Sequence, residues 1–260
     1  MTNLVLPRWL LAFVACVYLF LHAPMLVLVV FSFNSDKYAS HWTGFTLHWY
    51  ERLLEREEII DGLVNSLVVG GLSTLGATLL GTLMALAMAR HEFRGRRFFE
   101  ALLYVPIVTP EIVVGISLLI LFVLVKVPLG LASITVAHIA FNISYVAVVV
   151  HARLQGMDRN LEEAAMILGA DEITAFWRVT VPGMWPGILS GAMLAFIMSF
   201  DDYVITSFVR GDTSTLPTVV YAMVRKNVEP SINAISTIIL VVTTLLVIAA
   251  DRFGRDRPLT

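Results

Sequence analysis

Cysteine is nearly absent from this sequence: Cys16 stands alone among 260 residues. A single thiol in an apolar run closes no disulfide within the chain and holds no zinc by itself, which leaves packing as its role. Charge is scarce too. Asp, Glu, Lys and Arg make up 15% of the chain, where water-soluble domains run near about 25%. The formal net charge of −2 lacks the basic excess that nucleic-acid binding requires, so no nucleic-acid partner is expected. The chain has no Walker A sequence, no HExxH, no GxSxG and no cluster of metal-ligand residues. It therefore offers no phosphate cradle for ATP, no catalytic residue and no metal site, and no cofactor is expected in it.

Apolar residues fill the space that charge leaves: they make up 58% of the chain, and the mean hydropathy is +0.81. They fall into six segments, at residues 9–33, 63–89, 99–125, 131–150, 187–209 and 232–250. Each is long enough as a helix to cross a hydrocarbon core of about 30 Å. The first is longer than the apolar part of a cleaved signal and has no small-x-small site at its end, so it reads as a retained helix. The expectation is an all-α membrane protein with six transmembrane helices and lipid around it. Pro24 should kink the first helix. Trp9, Trp42 and Trp49 read as interface anchors.

Orientation follows from the basic residues. Placing both termini in the cytoplasm puts eleven of the 18 there, including the tight cluster Arg94, Arg96 and Arg97. The outer loop 34–62 is polar, with a helical pattern in YERLLEREEI. In the second segment Ser66, Gly70, Thr74, Thr78 and Thr82 recur every four residues, as do Ser73, Ala77, Gly81, Ala85 and Ala89. Small residues at this spacing let helices approach closely in lipid, within the chain or at a subunit interface.

Residues 163–188, EAAMILGADEITAFWRVTVPGMWPGI, lie on the cytoplasmic side of this arrangement and are amphipathic. Asn160 reads as a cap with Glu163 three residues on, as in a capping box. Leu161, Ala164, Ala165 and Leu168 give one apolar face, and Gly169 supplies a left-handed stop. Asp171 should cap a second short helix over 172–178. Pro182, Pro186 and Gly187 should end the excursion. The spacing of Glu163, Ala164, Ala165, Gly169 and Pro182 closely resembles the EAA coupling motif of type I ABC-importer permeases. That resemblance implies a type I permease bundle whose coupling loop docks on a separate cytoplasmic ATP-binding subunit.

Acids inside the apolar segments point to a pathway. Glu111 follows Pro106 and Pro110 in the third segment; Asp201 and Asp202 lie in the fifth. Each site is roughly 20 Å along its helix from the cytoplasmic end at 1.5 Å per residue. A carboxylate at that depth costs on the order of 3 kcal/mol and should face a cavity or a partner. Adjacent residues on a helix point about 100° apart, so Asp201 and Asp202 do not both face one small cavity; one is free for cargo while the other caps backbone or pairs elsewhere. Fixed negative charge suits a cation, and Phe200 and Tyr203 add aromatic faces for an alkylammonium. His138, Asn142, Tyr145 and Asn65 read as interhelical hydrogen-bonding groups that could also line the path.

The segments SFDDYVITSFVRG, 199–211, and LPTVVYAMVRKNVEPSINAISTIIL, 216–240, are very similar to permease subunits of the spermidine/putrescine importer family, the second of that system's two permeases being the better fit. The resemblance covers roughly the whole chain. It implies an inner-membrane permease that moves polyamines by alternating access, with cytoplasmic ATP-binding subunits, a second homologous permease and a periplasmic polyamine-binding protein as partners. It divides the chain into a first helix with periplasmic loop (1–61), a permease core (62–251) and a cytoplasmic tail (252–260). A permease of the same class for another small solute remains an alternative. An intramembrane aspartyl protease would need its two aspartates on separate helices, which an adjacent pair does not supply, and a passive channel would need no coupling motif.

Overall fold

A computed structural model describes residues 7–37, 41–158, 160–226 and 230–255. Outside them lie Arg159 and Arg257, two of the eleven basic residues placed in the cytoplasm, and residues 227–229 of the segment 216–240. The helices in chain order are α1 (Arg8–Phe31), α2 (His48–Glu55), α3 (Glu57–Arg90), α4 (Arg96–Val108), α5 (Glu111–Leu124), α6 (Leu131–Gln155), α7 (Asn160–Ile167), α8 (Glu172–Ala175), α9 (Val181–Asp201), α10 (Val204–Val209), α11 (Leu216–Lys226) and α12 (Pro230–Arg255). A short π-helix, Phe176–Thr180, joins α8 to α9. Among the described residues the only extended pairing is an isolated antiparallel bridge between Asn34 and Phe45, so the fold is all-α.

All six apolar segments are helical, but they do not all form single rods. Four spans are long and apolar enough to cross a membrane alone: Trp9–Phe31, Glu57–Arg90, Leu131–Gln155 and Glu172–Asp201. The third expected segment is divided. α4 and α5 meet at a bend of 111° and could supply a fifth span only as a pair. The cause is local. Thr109 is extended at φ −76, ψ 134, as the residue before a proline must be, and Pro110 has no N–H with which to continue the ladder. The apolar described part of α12, Pro230–Leu245, is a shorter helix. α1 continues through Pro24.

The chain divides into two compact units, one holding residues 1–59 and 220–260 and the other residues 60–219. In the first, α12 packs on α1 and α2. Its loop is organised by Asn34, which is fully buried. The side-chain amide of Asn34 donates to His41 O at 2.5 Å, its carbonyl oxygen accepts the Thr43 N–H at 2.9 Å, and its backbone carbonyl accepts the Trp49 indole N–H at 2.7 Å. Trp49 is 5% exposed. It is a core residue, not the interface anchor expected from its position, because a backbone carbonyl inside the loop satisfies its polar edge. Trp9 and Trp42 are exposed, as an anchor would be.

In the second unit α6 is the central helix and packs most extensively on α9. The contact is close at Gly187, where a Cβ would stand 2.6 Å from the Arg153 Cβ. One small-residue stripe of α3 faces inward: Ser73, Ala77 and Ala85 are fully buried, and a Cβ on Gly81 would stand 2.8 Å from Val146. That spacing therefore serves packing within the chain. α5 packs along α10, sharing a core of Phe122, Ile134, Ile205 and Val209.

Candidate functional site

The fifth apolar segment was expected to run unbroken over 187–209, and it does not. α9 ends at Asp201, and Asp202 is extended at φ −67, ψ 120 before α10 begins. The Asp202 carboxylate explains the break. One oxygen accepts the Ile205 N–H at 3.2 Å; the other accepts the Thr206 N–H at 2.7 Å and its hydroxyl at 2.8 Å. Those bonds satisfy orphan donors of the first turn of α10, as an N-cap does. His138 of α6 completes the cluster. Its Nε2 lies 3.2 Å from the same Asp202 oxygen and 3.0 Å from Thr206 Oγ1, while Nδ1 lies 2.7 Å from Ser199 Oγ. Ser73 of α3 donates to Ser199 at 2.8 Å. Four elements thus meet in one buried polar network, with His138 2% exposed and the Asp202 side chain 9% exposed.

The neighbouring acid is different in kind. Asp201 is exposed and makes no hydrogen bond or ion pair to any described residue. Phe200 is half-buried and stacks on Phe196 with centroids 5.8 Å apart; Tyr203 is half-buried at the break. Glu111 is the first residue of α5, exposed, and likewise without a hydrogen bond or ion pair among the described residues. The helix N-terminus there favours a negative charge. No hydrogen bond joins Glu111 to either aspartate. The structure therefore gathers Asp202 with His138 and leaves Asp201 and Glu111 unpaired. Asn142 donates to Ala195 O at 3.3 Å and Asn65 to Ser214 O at 2.9 Å, both between elements. Ser73 and Thr206 were not picked out from the sequence as partners of an acid. An Asp three and four residues before Ile205 and Thr206 is the local signal that could have found the cap.

The coupling segment is built oppositely. α7 has no buried residue, and Ile167 and Leu168 are 86% and 88% exposed. Glu163 and Ala164 are exposed and Ala165 half-buried. Gly169 has φ +96, and the Ala170 N–H reaches Ala165 O while the Gly169 N–H reaches Met166 O, each at 3.0 Å. This is a Schellman stop that needs a left-handed residue. A Cβ on Gly169 would meet nothing within 4 Å, so the backbone angle alone demands glycine. Asp171 caps α8 as expected, accepting the Thr174 N–H at 3.1 Å. Two local expectations are corrected. Asn160 lies inside α7 rather than capping it, because the Asp158 carboxylate takes its N–H at 3.0 Å. Pro182 and Pro186 do not end the excursion: the π-helix, whose ladder reaches the Val181 N–H through Phe176 O, runs straight into α9, where Pro182 is exposed in the first turn.

The described residues thus form an all-helical membrane fold, with the short helices α7 and α8 exposing apolar side chains and a buried polar network at the end of α9. A structure of a bacterial alginate ABC transporter in complex with an alginate pentasaccharide-bound periplasmic protein matches the fold with a TM-score of 0.73 at 19% identity, over 95% of this chain and 93% of that one. The family model described as binding-protein-dependent transport system inner membrane component matches residues 77–256. The spermidine/putrescine transport system permease protein PotC of Escherichia coli (strain K12) is 39% identical over 246 residues, 94% of this chain and 93% of that protein. The putrescine transport system permease protein PotI of the same strain is 40% identical over 250 residues, 92% of this chain and 89% of that protein. The chain belongs to the family of binding-protein-dependent transport system inner membrane components.

Proposed function

We propose that this chain is a permease subunit of an ATP-driven importer and forms part of the path for polyamines of the spermidine and putrescine kind. The observation that carries the reading is the unpaired, exposed Asp201 beside an Asp202 already committed to His138 and the backbone. Asp201 and Glu111 face the cargo, Phe200 and Tyr203 flank it, and Asp202 holds the break in the helix. An unpaired carboxylate at membrane depth costs on the order of 3 kcal/mol, which a passing alkylammonium offsets. The names of relatives near 40% identical over almost the whole chain support the same cargo class.

Both termini and the α7–α8 segment lie in the cytoplasm, and the exposed apolar face of α7 docks on an ATP-binding subunit through Glu163, Ala164, Ala165 and Gly169, with Pro182 starting the return helix. A second homologous permease and a periplasmic polyamine-binding protein complete the transporter. The helical bundle alternates between outward and inward states, shifted by the difference in ATPase and cargo affinity between them.

The test is uptake of labelled putrescine and spermidine by Asp201→Asn and Glu111→Gln, with assembly shown normal. Asp201→Asn should lower uptake by about tenfold to hundredfold, the worth of a charge-assisted hydrogen bond, and Glu111→Gln by less. Wild-type uptake in both variants would sink the cation site. Competition by amino acids but not by polyamines would move the cargo to another small solute.

A further inference from the structure

The cytoplasmic end of α3 is tied to the coupling segment by a single side chain. Arg90 is the last residue of α3. One of its Nη nitrogens donates both to Glu162 Oε1 of α7 and to Thr180 Oγ1 at the end of the π-helix, the second at 2.9 Å. The Thr180 hydroxyl in turn donates to the same Glu162 oxygen, which closes a triangle across three elements. Thr180 is fully buried, so its hydroxyl needs these partners. The guanidinium also lies 5.4 Å from the centre of the Phe176 ring, at the start of the π-helix.

The opposite reach of α3 leads to the acid site. Ser73 lies about 25 Å along the helix from Arg90 at 1.5 Å per residue, and it donates to Ser199 in the His138–Asp202 network. Between the two, Ala77 and Ala85 share a buried core with Val146 and Val150 of α6, and a Cβ on Gly81 would stand 2.8 Å from Val146. α6 carries His138. α3, packed on α6, therefore has the coupling segment at one end and the helix break beside Asp201 at its middle.

We propose that Arg90 is a positioning residue that straps the coupling segment to α3, so that displacement of α7–α8 is delivered to the acid site through α3 rather than lost in a loop. The strap rests on the coupling role given to α7–α8 above. It is physically a contiguous network with two ends, and its worth is a coupling energy between them.

The experiment uses the assembled transporter in liposomes, with labelled putrescine as the probe, and reads putrescine taken up per ATP hydrolysed together with the ATP-binding subunits retained. Arg90→Gln and Glu162→Gln should retain those subunits and their hydrolysis while uptake per ATP falls by about tenfold. Thr180→Val should cause a smaller fall. The reversed pair, Arg90→Glu with Glu162→Arg, should recover at least about half of the wild-type ratio, as two residues acting as one pair do. An unchanged ratio in assembled Arg90→Gln would overturn the strap. So would loss of the ATP-binding subunits from that variant, since Arg90 would then serve docking, or failure of the reversed pair to recover. A wild-type complex that holds no ATP-binding subunit would remove the coupling reading itself, and the strap with it.

Discussion

The two polar centres of this chain differ in who completes them. The network at the α9–α10 break is finished inside the chain: Asp202, His138, Ser199, Thr206 and Ser73 all find partners in one another. The coupling segment is unfinished. α7 buries nothing, and Ile167 at its end and Leu168 just beyond it stand almost fully exposed outside the apolar spans. A site that satisfies its own polar groups serves position, whereas a short helix with an exposed apolar face waits for a groove. Substitutions at the first should damage the fold of this chain. Those at the second should damage only its association.

The largest effect should come from cutting the finished network. Asp202→Ala leaves the Thr206 hydroxyl and two backbone N–H groups without their acceptor and takes the carboxylate from His138 in a buried place, a class of change that costs about 3–5 kcal/mol. Loss of the assembled permease and a lower melting temperature in detergent are expected, while Asp201→Asn melts as wild type. Equal melting of the two aspartate variants would erase the distinction between the neighbours.

This contrast also sets what was legible in the sequence. The coupling segment was readable because its features are local: Gly169 stops a helix by its own backbone angle, and Asp171 caps the helix that follows it. Apolar runs likewise gave the helical segments. The break at Asp202 was not readable as a break, since its apolar neighbours continue a helical pattern and its partner His138 comes from another helix far along the chain. The expectation that one aspartate caps backbone while its neighbour stays free holds, but through the break at Asp202 rather than through the helical step between adjacent residues. Pro110 announced an interruption of the third segment but not a turn of 111°. Trp49 read as an anchor because its partner, the Asn34 carbonyl, is a tertiary choice.

The middle effect belongs to the unfinished site. Gly169→Val forces a β-branched residue into φ +96, which costs roughly 1–2 kcal/mol and shifts the angle between α7 and α8. The permease should insert and melt normally yet retain less of its ATP-binding subunit on purification. Gly169→Asn, which tolerates the left-handed region, should keep most of it. Normal retention by the valine variant would mean that the angle between the two short helices does not matter for docking.

The smallest effect should come from Asp171, where the exposed site faces water. Hydrogen bonds from Thr174, through its hydroxyl and its N–H, hold the Asp171 carboxyl below the usual carboxylate range. A lowered value means that the charged, capping form adds stability above the ordinary carboxylate pKa, about 3.9, and that this contribution is lost only as pH falls through the lowered value. Retention of the ATP-binding subunit should therefore show no Asp171-dependent change between pH 6 and 8, on the order of two units above that range. Asp171→Asn keeps a capping oxygen and should weaken retention only slightly, by the same factor at every pH in that window. Co-purification at several pH values checks it. A difference between Asp171→Asn and wild type that grows across the window would show that the carboxylate titrates there, and the cap as drawn would be wrong.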